Sequence, residues 1–204
     1  MVLKLILCAV IGYLLGSINT SLVVGKLFFK KDVRDFGSGN AGATNTLRTL
    51  GKGAAAVVVL GDALKGALAC LIGFYLGGAY EPGVYLGMYL AGAGSVVGHN
   101  WPVFFGFKGG KGVMTTFAVV LVFHPLGALL SLAVFILIVA ATRYVSLGSI
   151  LASVLFPVWT LALGASPFLV LFGGGLALLI VIRHLPNIQR LIKKEEKKLS
   201  FKKK

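Results

Sequence analysis

Long apolar runs separated by short polar turns constrain this chain more than any single motif does. In hydrocarbon every backbone N–H and C=O must be satisfied without water, so runs of this kind fold as helices. The predicted spans are about Val2–Leu27, Gly53–Gly77, Gly83–Val97, Val113–Phe123, Pro125–Thr142, Leu147–Leu163 and Pro167–Ile182, the fourth of them short. Pro125 and Pro167 fit the first turn of a helix, where a missing N–H costs nothing. Gly12 and Gly16 have the small-xxx-small spacing that lets two helix backbones approach closely. With 57% hydrophobic and 13% charged residues in 204, the chain is too apolar for a soluble domain. The fold expected is all-α: a polytopic membrane protein of seven transmembrane helices in a single domain over residues 1–204. The first run lacks a small-residue cleavage site and is expected to remain as a span.

The net charge of +14 is placed unevenly. On seven spans, one face collects six Lys and Arg of the first loop, Lys108 and Lys111, Arg143, and nine in residues 183–204, which makes 18 of 20. The positive-inside rule puts that face in the cytoplasm, with the N-terminus outside and a basic cytoplasmic tail from Arg183 onward. The tail is expected to lie on anionic lipid or to fray. Because the aromatic residues sit mainly inside apolar runs and no nucleic-acid motif occurs, membrane topology and an anionic substrate account for the charge, and nucleic acid is excluded as a partner. Cys8 and Cys70 fall in apolar runs and read as packed free thiols. No Cys/His metal spacing is present; no metal and no cofactor are expected.

The first polar loop reads Gly37-Ser-Gly-Asn-Ala-Gly-Ala-Thr-Asn-Thr-Leu-Arg48. Gly37 and its neighbours allow tight turns that present backbone N–H groups to anions. Ser38, Asn40, Thr44 and Asn45 add neutral hydrogen-bonding groups, and Arg48 a permanent bidentate cation. The second segment, Gly98-His-Asn-Trp-Pro-Val103 through Lys108-Gly-Gly-Lys-Gly112, joins two cations to Gly109, Gly110 and Gly112 ahead of a helix N-terminus. It is not a nucleotide-hydrolysing P-loop, because Phe105 stands where that motif needs Gly and Gly112 where it needs Ser or Thr. His99 reads as a base, a phosphate ligand or a structural donor, and Trp101 as an interfacial anchor. In the third segment, Arg183, His184 and Asn187 stand where the last span ends. Asp62 and Lys65 share one helix face inside a span, as structural support or as substrate contacts. His124 is expected at the outer edge, solvated or packed.

Several chemistries lack their residues. None of the three histidines is followed at the fifth position by Asp, as His-x-x-x-x-Asp acyltransferases require. There is no Gly-x-Ser-x-Gly elbow. The motif face offers few bases, which favours catalysis by positioning and charge stabilisation. An organic-anion transporter would share the cations, but no inverted repeat is visible and the motifs sit at one face. A lipid-binding scaffold would have no use for the glycine-lysine loop.

Together these segments resemble the bacterial acyl-phosphate-dependent glycerol-3-phosphate acyltransferase family: Gly37 to Arg48, Gly98-His-Asn-Trp-Pro-Val103 with Lys108-Gly-Gly-Lys-Gly-Val113, and His184-x-x-Asn187-Ile-x-Arg190-Leu191. Asp62-x-x-Lys65-Gly66 fits as well, whereas Leu185-Pro186 stands where the family often has a charged pair. The resemblance implies seven helices in the bacterial inner membrane and a cytoplasmic active site. It also implies transfer of an acyl chain from acyl-phosphate to the 1-hydroxyl of sn-glycerol 3-phosphate, the first step of phospholipid synthesis. Expected catalytic residues are Ser38, His184 and Asn187. Expected substrate-binding residues are Gly37, Asn40, Thr44, Asn45, Arg48, His99, Asn100, Lys108, Gly109, Gly110, Lys111 and Gly112. The partners expected are the two substrates and membrane lipid, with the chain acting as a monomer.

Overall fold

The computed structural model describes residues 1–79 and 85–199, and among them it is helical with no strand. The helices are α1 (Val2–Ser17), α2 (Thr20–Phe29), α3 (Ala43–Leu50), α4 (Lys52–Gly77), α5 (Leu86–Asn100), α6 (Val113–Phe123), α7 (Pro125–Thr142), α8 (Val145–Ala162), α9 (Pro167–Arg183) and α10 (Leu185–Ile192). Among the described residues four candidates are long and apolar enough to cross a membrane: Val2–Phe29 taken together, α4, α7 and α8. The α9–α10 pair, bent by 59°, makes a fifth if counted as one span. The chain divides into two compact units, Met1–Val122 and Phe123–Lys204.

In the first unit α1 lies along α5, and α4 packs against both. The close approach foreseen from Gly12 and Gly16 is present. A Cβ on Gly12 would strike the backbone of Ala91, and one on Gly16 the backbone of Ser95. Gly94 and Gly98 of α5 return the arrangement against the α1 backbone. Dispersion between touching backbones replaces the hydrophobic drive that lipid cannot supply.

The predicted first span is interrupted. Helix α1 stops at Ser17, and Asn19 caps α2, its Oδ1 accepting the Leu22 N–H at 3.2 Å. Ser17, Asn19, Thr20 and Ser21 make a short polar stretch around Ile18 inside the apolar run, and Asn19 and Thr20 find their partners within the fold. Gly98, His99 and Asn100 lie inside α5, not in the loop after it. The predicted third-span start at Gly83 lies outside the described residues.

In the second unit α7, α8 and α9 pack in sequence order. His124 caps α7: its Nδ1 accepts the Gly127 N–H at 3.1 Å, ahead of Pro125. Ser166 does the same for α9, ahead of Pro167. The tail does not simply fray, since the Leu199 N–H donates to the Arg143 carbonyl at 2.7 Å. Cys8 and Cys70 are buried free thiols.

Candidate active site

The first loop is shaped by one buried amide. Asn45, 1% exposed, accepts the Ser38 N–H at 2.8 Å and donates to the carbonyls of Val33 at 2.7 Å and Phe36 at 3.1 Å. Gly37 and Gly39 take left-handed φ values of 65° and 71°, which lets the chain reverse around that amide. A Cβ on Gly37 would strike Asn45 Oδ1. Asn45, expected to face substrate, therefore holds the loop, and Ser38 stands exposed at its tip. Asn40 and Thr44 are half-buried beside it, and Arg48 is exposed on the last turn of α3.

Arg34 ties this loop to the second segment. Its Nε and Nη2 grip Asp32 at 2.9 and 2.7 Å, and Nη1 donates to the carbonyls of Phe105 at 2.9 Å and Lys108 at 3.0 Å. The guanidinium hydrogen bond holds the Asp32 carboxyl down at about 2. Sequence reasoning counted Arg34 only as a topological charge. Nothing local in the sequence reveals that its fork reaches Phe105 and Lys108.

The second segment folds back over the end of α5. The Gly109 N–H donates to the Asn100 carbonyl at 3.2 Å and the Gly110 N–H to the His99 carbonyl at 3.1 Å. These two amides, expected to point at an anion, thus satisfy the last carbonyls of α5. Their glycines are required by space instead. A Cβ on Gly110 would land on His99 Nε2 and within 2.6 Å of the Ala41 carbonyl oxygen. The two loops are therefore in van der Waals apposition at Gly110 and Ala41. Gly112, with φ 75°, turns the chain into α6. Lys108 is exposed and Lys111 half-buried at this edge, while Asn100 is wholly buried.

Beneath the loops lies an ionic cluster. Lys65 Nζ sits 2.8 Å from Asp62 Oδ1, 3.0 Å from His99 Nδ1 and 3.1 Å from the Ile18 carbonyl. Thr20 Oγ1 donates to Asp62 Oδ1 at 3.0 Å. All three ionisable groups are at least nine-tenths buried. Burying charge is expensive unless it is paired and hydrogen-bonded, as it is here. The same contacts explain the α1–α2 break, which turns the Ile18 carbonyl toward Lys65.

The third segment belongs to the second unit. His184, at the α9–α10 bend, has Nδ1 2.8 Å from the Ile180 carbonyl. A carbonyl only accepts, so Nδ1 carries the proton. Asn187 Nδ2 donates to Glu196 Oε1 at 2.6 Å, joined there by Ser146 Oγ at 2.8 Å; Arg190 Nε reaches Oε2 at 2.7 Å. Burial pushes the Glu196 carboxyl up, but these donors, Arg190 first, outweigh it and hold the group below its ordinary value. Sequence reasoning missed Glu196 and Ser146. A signal existed: only six acidic residues occur in the chain, and Glu195-Glu196 stands alone among the tail lysines.

Apolar helices of membrane length, backed by a buried ionic cluster and two cation-bearing glycine loops, define a helical integral membrane protein with a basic site. The sequence pattern of the glycerol-3-phosphate acyltransferases matches residues 6–194. A glycerol-3-phosphate acyltransferase of Thermoanaerobacter pseudethanolicus is 45% identical over 197 residues, covering 97% of this chain and 96% of the relative. One from Clostridioides difficile is 44% identical over 200 residues, 97% of each chain. The crystal structure of PlsY (YgiH), an integral membrane glycerol 3-phosphate acyltransferase in its glycerol 3-phosphate form, is 38% identical with a TM-score of 0.89, covering 96% of both chains. Its lysophosphatidic acid form is 36% identical, with a TM-score of 0.86 over 97% of this chain and 96% of that one. The chain belongs to the glycerol-3-phosphate acyltransferase family.

Proposed function

We propose that this chain transfers an acyl group from an acyl-phosphate to the 1-hydroxyl of sn-glycerol 3-phosphate, giving lysophosphatidic acid and phosphate. Family membership supports the acceptor, and the two ligand forms of the solved relative support acceptor and product. The acyl-phosphate donor rests on the motif resemblance and on the number of cations. The observation that carries the reading is the apposition of the two loops at Arg34–Lys108 and Ala41–Gly110. The backbone of Lys108 is thereby held against the first loop.

Arg48, Lys108 and Lys111 bind the phosphates, and the N-terminus of α6 beyond Gly112 adds backbone donors. Ser38, Asn40 and Thr44 orient the acyl carbonyl and the glycerol hydroxyls. Gly37, Asn45, His99, Asn100, Gly109 and Gly110 hold the loops that present them. His184 and Asn187, in the second unit, are assigned catalytic roles on the motif resemblance alone. The 1-hydroxyl oxygen attacks the carbonyl carbon, the bond from that carbon to the phosphate oxygen breaks, and the hydroxyl proton leaves on the phosphate. The loop's own Asp32, held at about 2 by Arg34, is far too acidic to serve as base. Substantial turnover in His184→Gln supports proton transfer to the phosphate; complete loss with substrate binding retained assigns the proton to His184.

We place the seven spans in the bacterial cytoplasmic membrane, with the N-terminus outside, the C-terminus and the site in the cytoplasm, and the chain acting as a monomer. The distribution of lysine and arginine supports this sidedness. The test is purified protein given glycerol 3-phosphate with either acyl-phosphate or acyl-CoA. Lysophosphatidate and phosphate formed in equal amounts from acyl-phosphate alone are the expected result. Product from acyl-CoA alone would overturn the donor, and product from neither would overturn the reading.

A further inference from the structure

Asp62 and Lys65 have no part in the mechanism above, yet the hydrogen bonds they share with His99 constrain a proton. A lysine ammonium has three N–H donors and no lone pair. Three acceptors surround Nζ: Asp62 Oδ1 at 2.8 Å, His99 Nδ1 at 3.0 Å and the Ile18 carbonyl at 3.1 Å. With the ammonium so saturated, His99 Nδ1 must be the acceptor. A neutral imidazole with a bare Nδ1 carries its proton on Nε2. The alternative placement, neutral lysine beside imidazolium, has the same net charge but puts the cation farther from its carboxylate, since His99 Nδ1 is 3.5 Å from Asp62 Oδ1. Coulomb energy favours the nearer cation.

The face of His99 bearing Nε2 looks toward the seam between the loops. The volume a Cβ would fill on Gly110 touches both Nε2 and the Ala41 carbonyl oxygen. We infer that Asp62 and Lys65 are positioning residues: they lock His99 as a neutral Nε2–H donor facing the junction of the two substrate loops. His99 is then a fixed donor and not a proton acceptor. His184, in the second unit, is held in the other tautomer by Ile180. The catalytic consequence rests on the acyl-transfer reading; the tautomer does not. Lys65 acts through His99, and Asp62 acts through Lys65, which it keeps charged.

The experiment is two-bond 1H–15N correlation of the full-length protein labelled at histidine nitrogen in lipid nanodiscs, with His124→Gln and His184→Gln assigning the signals. Wild type is expected to show His99 with Nε2 protonated and Nδ1 bare. Lys65→Met is expected to give mixed tautomers and to lower kcat about 100-fold, with little change in KM. Lys65→Arg, which keeps a charged donor, restores part of both. A wild-type His99 protonated at Nδ1, or at both nitrogens, would overturn the inference, as would an unchanged His99 pattern in Lys65→Met. If Lys65→Met does not fold, the wild-type spectrum decides alone. A correct tautomer in a protein with no acyl-transfer activity would refute the functional reading and leave this one standing.

Discussion

Arg34 and Lys108 meet across 74 positions of sequence, the guanidinium Nη1 donating to the Lys108 carbonyl at 3.0 Å. The contact involves the Lys108 backbone, so it fixes where the lysine starts while leaving its ammonium to another partner. Arg34→Lys keeps the charge but loses the fork that holds Asp32 and two carbonyls at once. We expect kcat/KM to fall about tenfold or more and stability by about 1–3 kcal/mol. Steady-state kinetics beside thermal unfolding in detergent checks this; an unaltered enzyme would remove Arg34 from the loop junction.

Gly110→Ala is the smallest change that can pry the loops apart. The added methyl competes with His99 Nε2 and the Ala41 oxygen, both on well-packed elements. Gly51→Ala is a contrasting case, with open space around it but a φ of 91° that alanine adopts only under strain. We expect Gly110→Ala to lose most activity and Gly51→Ala to lose stability of about 1 kcal/mol with activity largely kept. Equal activity losses in the two would contradict the packing argument.

Glu196 has a folded-state carboxyl held below its ordinary value by Arg190, Asn187 and Ser146, against the opposing pull of burial. A depressed carboxylate contributes stability above its unfolded pKa and loses it as pH falls through the folded one. Glu196→Gln should therefore unfold at a lower temperature than wild type at pH 7, by about 1–3 kcal/mol in stability. The gap should narrow as pH drops through and below the ordinary carboxylate range. A gap independent of pH would mean that charge plays no part in the tail's attachment.

Gly16→Leu would drive a side chain into the Ser95 backbone, which cannot move aside as a flexible side chain can. Overpacking of this kind costs about 1–3 kcal/mol even where neighbours can adjust. We expect poor yield of folded protein, read by size-exclusion profile in detergent. Normal folding would show that α1 and α5 do not need their close approach.

Much of this was legible because its causes are local. Pro125 with His124 before it marks the start of α7, and the predicted limits of α6 and α7 coincide with the observed ones. Gly12 and Gly16 announced a close helix approach by spacing alone, and the fold supplies α5 as the partner. The break at Ile18 had a local signal in the polar run Ser17-Ile-Asn-Thr-Ser21, but its partner Lys65 lies 47 positions away and only the fold reveals it. Gly98, His99 and Asn100 looked like loop because they are polar or small, but tertiary packing keeps them helical. Asn45 looked like a substrate ligand because residue type alone does not say which groups an amide bonds; only the fold shows that Val33, Phe36 and Ser38 occupy it.

The central claim is that cations from both loops serve one reaction. Its most direct measurement is phosphate release from acyl-phosphate, dependent on glycerol 3-phosphate, in Arg48→Gln and Lys108→Gln proteins that fold normally by circular dichroism. Each charge-assisted hydrogen bond lost should lower kcat/KM by about tenfold to 100-fold, in both variants. Wild-type turnover in either one would contradict a shared site.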